Sequence, residues 1–477
     1  ERRRYRALRQ PVLQGDRRGG VGGFVSAITI DQADCLDWLR ERAGAIARGE
    51  AEAFDACVTD PPYHLTSIVK RFGGKGAAAA RDRDGAFRRQ SRGFMGKQWD
   101  GGDIAQRVET WELVLACLKP GAHLIAFSGT RTYHRMAVAI EDAGFEIRDQ
   151  LAWAYGSGFP KSHDVAKAID RSRGEVRQVR QVRQGDGSVY GLQHSGNVVD
   201  PDPITDAARE WQGWGTALKP AWEPIVLARA PLAEKSVAAQ VLATGTGAIN
   251  IDGCRVGNTG GTATRHGDKV ARTVHAFGDG LGARGGVITK VDGLGRFPAN
   301  LVHDGSDEVV SGFPETGGGR AGDRGDRPAM FLGGRLLPDG GIRGHDDDGG
   351  SASRFFYSAK AGPLDRIGSK HTTVKPVDLM RWLVRMVCPP GGTVLEPFAG
   401  SGTTGIACMA EGFGCAMIDI EAEHDADITR KLDWLRGEGR HSLIEHDRRL
   451  AHGEAAPAGD HAAHGPLFAL AAGERGE

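Results

Sequence analysis

The chain has 477 residues, enough for a large α/β domain with an inserted or appended second unit. Hydrophobic residues make up 40% and charged residues 26%, a balance that fits a soluble globular protein. Lys plus Arg (61) equals Asp plus Glu (61), so any grip on a polyanion has to come from basic residues grouped on one face.

In chain order, Glu1 to Tyr5 is basic with no apolar stretch after it, so no signal peptide is expected, and no run reaches the ~20 apolar residues of a membrane span. Short apolar runs then alternate with helical patterns, the mark of a parallel α/β sheet. Strands are predicted over Ser26 to Ile30, Ala56 to Thr59, His123 to Phe127, Leu151 to Tyr155, Pro224 to Ala228, Thr393 to Glu396 and Ala416 to Ile420. Helices are predicted over Cys35 to Arg48, Ile104 to Leu118, Tyr133 to Ala143, Pro376 to Val387 and Thr403 to Glu411. Pro120-Gly121 and Pro390-Gly391-Gly392 read as turns placed just before strands.

Two stretches break the rhythm. One is polar, Ser162 to Gly215, with the tandem VRQVRQVRQ from Val176; the other, Ala233 to Ser353, is rich in Gly, Asp and Arg. A loop that long inside a compact domain is functional or disordered. The tail from Gly437 reads as disordered by composition. The predicted division is a basic arm (1–25), a first half-domain (26–161), a polar insertion (162–217), a returning strand (218–232), an irregular region (233–353), a second half-domain (354–436) and the tail (437–477). The seven cysteines form no C-x-x-C pair, which argues against a zinc site or disulfide framework and suits a cytoplasmic chain. Basic runs lie at Arg2 to Arg4, Arg88 to Arg92 and Arg171 to Arg183, each equally readable as solvated surface.

Two motifs carry chemistry. Thr59-Asp60-Pro61-Pro62-Tyr63 follows an apolar run, so Asp60 ends a strand, where ligands of open parallel sheets bind. The prolines stiffen the turn and fix a carboxylate, nearby carbonyls and an aromatic face in one geometry, the parts needed to handle an amine on a ring. The alternative is an ordinary strand-ending turn. Glu396-Pro397-Phe398-Ala399-Gly400-Ser401-Gly402-Thr403-Thr404-Gly405 runs from a strand into a helix, and a helix start favours a carboxylate or phosphate. It lacks the Lys of a P-loop. Gly400, Gly402 and Gly405 do match a dinucleotide fingerprint, so a nicotinamide-dependent oxidoreductase stays open on the glycines alone. One strand further on, Asp419 and then Glu421 are the candidates to hold a ribose.

D-P-P-Y upstream, H-x-T-V-K-P between and F-x-G-S-G-T-T downstream together resemble the β-class S-adenosylmethionine-dependent DNA amino-methyltransferases, most closely their large phage-type, site-specific members. Gly93 to Asp100, Leu118 to Gly121, Tyr155 to Lys161, Leu218 to Pro220 and Arg296 to Asn300 extend the resemblance, which covers about Ser26 to Leu435. It implies a Rossmann-like methyltransferase fold with a seven-stranded, mostly parallel sheet of permuted order, and a large irregular insertion for target recognition. It implies S-adenosyl-L-methionine as cofactor and double-stranded DNA as partner, with no metal and no membrane. A homodimer is compatible with it, and the identity of a partner nuclease stays open.

On that resemblance Phe398, Gly400, Ser401, Gly402 and Thr403 hold the methionine part of the cofactor, with Glu396, Thr373, Lys375 and Pro376 close by. Asp419 holds the ribose, with Glu421 as second choice, and Asp34 and Cys35 meet the adenine. Asp60 accepts a hydrogen bond from the target amine and also borders the cofactor, Pro61 and Pro62 shape its turn, and Tyr63 stacks on a flipped base. His371-Thr372-Thr373 stands where the family has H-P-T, and His424 where it often has Tyr. D-P-P-Y usually accompanies adenine N6 and S-P-P-Y or S-P-P-W cytosine N4. The alternatives are a cytosine-N4 enzyme, an RNA or protein amide methyltransferase, and a non-catalytic DNA-binding relative. No Pro-Cys dipeptide is present for C5-cytosine chemistry. Ala233 to Ser353 is the candidate recognition region, in which Arg265, Arg272, Arg284 and Arg296 could read guanine edges or simply contact phosphate.

Overall fold

A computed structural model of the chain describes residues 27–63, 103–158, 162–175, 179–181, 197–199, 202–257, 264–265, 288–289, 296–317, 322–323, 331–332, 335–336, 342–343, 349–359, 365, 374–437 and 439. The basic runs at Arg2 to Arg4 and Arg88 to Arg92, the Gly93 to Asp100 motif, Arg272, Arg284 and Thr373 lie outside the described residues.

One sheet organises the larger unit. Its strands in chain order are β1 (Ile28–Gln32), β2 (Phe54–Thr59), β3 (Leu118–Phe127), β4 (Glu146–Ala154), β5 (Trp222–Arg229), β6 (Leu301–His303), β7 (Tyr357–Ser358), β8 (Thr393–Glu396) and β9 (Gly414–Asp419). Across the sheet they run β1-β9-β8-β2-β3-β5-β4-β6-β7. The pairs are parallel except those of β5, which is antiparallel to both β3 and β4. The sequence order is therefore permuted: β8 and β9, from the last quarter of the chain, insert between β1 and β2. Val394 and Leu395 of β8 pair with Ala56 and Cys57 of β2, more than 330 residues away in sequence.

The seven predicted strands are the first seven in that order; among the described residues β6 and β7 extend the sheet to nine. With three and two residues they are too short to show a period. β6 also means that the irregular stretch 233–353 contributes a strand to the main sheet.

Every residue of β2 is buried, as expected of a central strand covered on both faces. One face packs Leu39 of α1 (Cys35–Ala47), Trp111 and Val114 of α2 (Val108–Cys117) and Met136 and Ile140 of α3 (Tyr133–Asp142) against Leu124, Ala126, Val226 and Leu395. The C-terminal half adds α6 (Val377–Val387), α7 (Thr403–Glu411) and α8 (Ala422–Arg436), after α4 (Val165–Ser172) and α5 (Val237–Thr244). Glu411 at the end of α7 clamps α6: its carboxylate accepts from Arg381 Nε at 2.8 Å and from Arg385 Nε and Nη2 at 2.7 and 2.6 Å.

The predicted helix Ile104 to Leu118 is split. Ile104–Gln106 is a 3-10 turn, Arg107 is extended, and α2 starts at Val108. The predicted turn at Pro120-Gly121 lies inside β3. Gly121 has φ +79°, its N–H bonds Pro231 O at 3.1 Å, and the pairing with β2 shifts register between Phe54 and Ala56. The strand thus carries an irregularity where the sequence suggested a break.

Tyr155–Ala221 forms a separate compact unit. Asp164 caps α4, accepting from Lys167 N at 2.9 Å. The buried Asp170 carboxylate accepts from Thr205 N, Thr205 Oγ1 and Ile204 N at 3.0, 2.9 and 3.1 Å. Trp211 and Trp214 meet edge to face at 5.2 Å. Among the described residues no helix is long and apolar enough to cross a membrane.

Candidate active site

The carboxyl ends of β1, β9, β8, β2 and β3 fall along one edge of the sheet, and the two chemical motifs meet there. Asp60 directly follows β2, with Pro61 buried and Pro62 and Tyr63 half-buried after it. Thr132, which precedes α3, donates Oγ1–H to Tyr63 O at 2.8 Å and ties down the turn. Lys375, just before α6, reaches over the turn. Its Nζ lies 2.8 Å from Asp60 Oδ2, 3.1 Å from Glu223 Oε2 and 3.0 Å from the Tyr63 hydroxyl, which uses all three of its N–H donors. The same ammonium sits 4.8 Å from the Phe127 ring centroid and 5.3 Å from that of Tyr63. The Tyr63 hydroxyl lies 2.8 Å from Asp60 Oδ1 and 2.9 Å from Glu223 Oε2; it has one proton and two takers.

The charges explain the shifts. Burial opposes an ammonium, yet Asp60 and Glu223 outweigh it and hold Lys375 well above the usual lysine range. Burial, then the two carboxylates, push the Tyr63 phenol up, so it is a neutral donor near pH 7. Two carboxylates against one ammonium leave the group with a formal charge of −1. Its setting suits a cationic ligand or a neutral N–H donor.

Glu223 was not among the residues singled out from sequence. It precedes the predicted strand start at Pro224, and nothing in its own type or spacing marks it. Topology places it: β5 alone runs antiparallel, so its first residues, not its last, lie at the carboxyl edge of the sheet. An acid at the start of such a strand is the signal that could have found it.

The glycine loop joins β8 to α7. Gly400 and Gly402 have φ +51° and +74°, and a Cβ on Gly402 would stand 2.6 Å from Ile428 Cγ1, so that position requires glycine. Gly400 N–H donates to Asp419 Oδ2 at 2.7 Å, while Asp419 Oδ1 accepts from Glu421 N at 2.9 Å and lies 2.9 Å from His424 Nδ1. Ser401 Oγ and Thr403 Oγ1 are 2.9 Å apart, and the buried Lys431 donates to Ser401 O at 2.7 Å. Phe398 is partly buried against the core. The start of α7 thus faces the sheet edge with the Thr403 turn, next to the acids at the end of β9.

Asp34 and Asp419 come together because Gln32 pairs with Asp419 and Ala33 N–H donates to Asp419 O at 3.0 Å. Asp34 caps α1, accepting from Leu36 N and Asp37 N at 2.9 and 3.2 Å. Cys35 is buried, and burial with Asp34 beside it raises its thiol to about 12. Glu421 is exposed at the mouth of this edge. Pro376 caps α6.

Glu396 behaves differently from the other cofactor-side candidates. It is 1% exposed, with both oxygens turned inward: Oε1 accepts from Thr59 Oγ1 at 2.5 Å and Phe398 N at 3.0 Å, Oε2 from Thr404 Oγ1 at 2.5 Å. Burial outweighs these bonds and raises its carboxyl from 4.5 to about 8. It fixes the loop to β2 and to α7 rather than facing a ligand.

Of the recognition-region arginines, Arg265 lies in the two-residue strand Thr264–Arg265, and the Arg296 guanidinium lies 4.5 Å over the Phe355 ring, which Arg354 covers at 4.3 Å. Among the described residues no group of His, Cys, Asp and Glu could hold a metal ion.

Fold and edge geometry define a class: a Rossmann-like, mostly parallel α/β sheet in permuted order, with an acid-and-tyrosine turn beside a glycine loop. Residues 345–430 match the N6_N4_Mtase family, described as DNA methylase, a match that takes in the glycine loop and not Asp60 to Tyr63. A type II methyltransferase of Haemophilus influenzae, M.HindIII, is 23% identical over 215 residues, 42% of this chain and 58% of that protein. The DNA adenine methyltransferase YhdJ of Escherichia coli is 40% identical over 63 residues, 13% of this chain and 21% of that protein. The chain therefore spans under two thirds of each of these relatives. Among solved structures, PvuII DNA methyltransferase (cytosine-N4-specific) is 12% identical, covering 90% of this chain and 94% of that one with a TM-score of 0.38.

Proposed function

We propose that the chain is a site-specific DNA methyltransferase that moves a methyl group from S-adenosyl-L-methionine to the exocyclic N6 amine of an adenine flipped out of duplex DNA. The observation that carries it is the adjacency of β2 and β8, which sets Asp60-Pro61-Pro62-Tyr63 directly beside the loop Phe398 to Thr403.

The residues fit the cofactor. The start of α7 suits its carboxylate, the acids at the ends of β1 and β9 suit a ribose diol, and the −1 charge around Asp60 suits a sulfonium. When bound, S-adenosylmethionine supplies a methyl on a sulfonium that leaves readily. Asp60 then accepts a hydrogen bond from the target amine, drawing its nitrogen toward a nucleophilic geometry, and Tyr63 offers its ring to the flipped base. Stacking of this kind offsets about 1–3 kcal/mol of the few kcal/mol that flipping costs. Orientation supplies most of the rate. The proton that the amine loses passes to Asp60 and on to water. Residues 233–353 read the target sequence, with 162–217 as accessory.

Adenine rests on the D-P-P-Y pattern and on the name of the Escherichia coli relative. The test is expression in a methylation-free bacterial host, with modification-sensitive sequencing of its DNA beside Asp60→Ala. N6-methyladenine at one motif, absent with Asp60→Ala, is the expected result. N4-methylcytosine overturns the base assignment, and no modified base overturns the reading.

A further inference from the structure

We propose that Glu223 is a positioning residue that frees Asp60 for the substrate, an inference that rests on the methyl-transfer reading above. The difficulty it solves is visible in the contacts. Asp60 Oδ1 is engaged by the Tyr63 hydroxyl at 2.8 Å and Oδ2 by Lys375 at 2.8 Å, so an amine N–H approaching either oxygen competes with a donor already in place. Moving Tyr63 or Lys375 off Asp60 with nothing in exchange would strand a donor in a largely buried pocket, which is costly, most of all for a charged one.

Glu223 supplies the exchange. Its Oε2 already stands 2.9 Å from the Tyr63 hydroxyl and 3.1 Å from Lys375 Nζ, so both donors touch two carboxylates at once. The single phenolic proton needs only to rotate from Asp60 Oδ1 to Glu223 Oε2, with no covalent bond made or broken. Asp60 Oδ1 is then relieved of the phenolic donor, Tyr63 remains satisfied, and Lys375 keeps a counter-ion as Asp60 engages the amine. The antiparallel direction of β5 is what brings a carboxylate to this spot.

The experiment is a double-mutant cycle between Glu223→Ala and Tyr63→Phe, which removes the competing O–H and keeps the ring. The readout is the single-turnover rate of methyl transfer from labelled S-adenosylmethionine to unmethylated bacterial genomic DNA, with cofactor and DNA dissociation constants measured separately. With Tyr63 present, Glu223→Ala is expected to lower the rate at saturating cofactor about 10- to 100-fold while the DNA dissociation constant stays within about threefold of wild type. In the Tyr63→Phe background the same change is expected to cost at least about threefold less than with the hydroxyl present, because the proton that needed relocating is gone and only the second carboxylate on Lys375 is lost. Should Glu223→Ala lose its fold by circular dichroism, Glu223→Gln, which keeps an acceptor oxygen, is expected to give the same coupling at about 3- to 10-fold.

A wild-type rate in the Glu223 variant, or an equal loss with and without the Tyr63 hydroxyl, overturns the proposal. Wild-type protein that binds cofactor yet methylates no DNA overturns the methyl-transfer reading instead.

Discussion

Replacing Glu396 by Gln separates architecture from ligand binding, because this carboxylate is buried, fully hydrogen-bonded by the chain itself and raised from 4.5 to about 8. A carboxyl that titrates higher in the folded than in the unfolded chain binds more protons when folded. Stability from it is complete below the unfolded value near 4.5, declines as pH rises, and is lost through about 8. At about 1.4 kcal/mol per pH decade between those values, folding loses about 3 kcal/mol from this group alone between pH 6 and pH 9. Gln has the shape of the protonated acid and no charge to bury. Its oxygen can accept from Thr59 and Phe398, and its amide can donate to Thr404, whose hydroxyl turns to receive it. Urea unfolding of wild type and Glu396→Gln at pH 6, 7, 8 and 9 is the assay. The variant's stability relative to wild type should rise by about 3 kcal/mol between pH 6 and pH 9, and it should bind S-adenosylmethionine within about threefold of wild type. Parallel pH curves would refute the electrostatic reasoning, and a cofactor affinity lost by about 100-fold with the fold intact would return Glu396 to the ligand side.

Three further outcomes follow from the same contacts. Gly402→Ala forces a left-handed backbone on a residue with a Cβ that meets Ile428, and should cost about 1–3 kcal/mol in denaturant unfolding and weaken cofactor binding. Asp419→Asn leaves one acceptor for Gly400 N–H, Glu421 N–H and the diol, and should raise the cofactor dissociation constant about 10- to 100-fold by calorimetry. Glu411→Ala strips two arginines of their shared carboxylate and should cost about 3 kcal/mol of stability with little effect on the transfer rate once folded.

The parts of this molecule that were legible in sequence are those where one local rule dominates. Thr393–Glu396 and Thr403–Glu411 have the predicted ends because a buried apolar run, two left-handed glycines and a clean helix pattern follow one another without conflict. β4 starts five residues earlier than its apolar core, since Glu146 to Gln150 are mostly exposed and carry no alternation. β3 absorbs a Pro-Gly pair through a bulge that tertiary bonds to Pro231 and Thr246 hold in place, which no local pattern announces. Asp60, Tyr63 and Lys375 were each legible by motif, but their joining to Glu223 depends on strand direction and on pairing between distant segments. The inward turn of Glu396 was hidden for the same reason: its partners Thr59 and Thr404 meet it only once β2 and β8 are neighbours.

The central claim, an adenine amine methylated with Asp60 at the reacting nitrogen, is tested most directly on the purified chain. It would be incubated with isotopically labelled S-adenosylmethionine and unmethylated bacterial genomic DNA, the DNA digested to nucleosides and the labelled product identified by mass spectrometry, with Asp60→Ala alongside. The account predicts label in N6-methyladenine alone, reduced at least about 100-fold by Asp60→Ala although that variant still binds cofactor. Label in N4-methylcytosine, or transfer to adenine that survives loss of the Asp60 carboxylate, would contradict it.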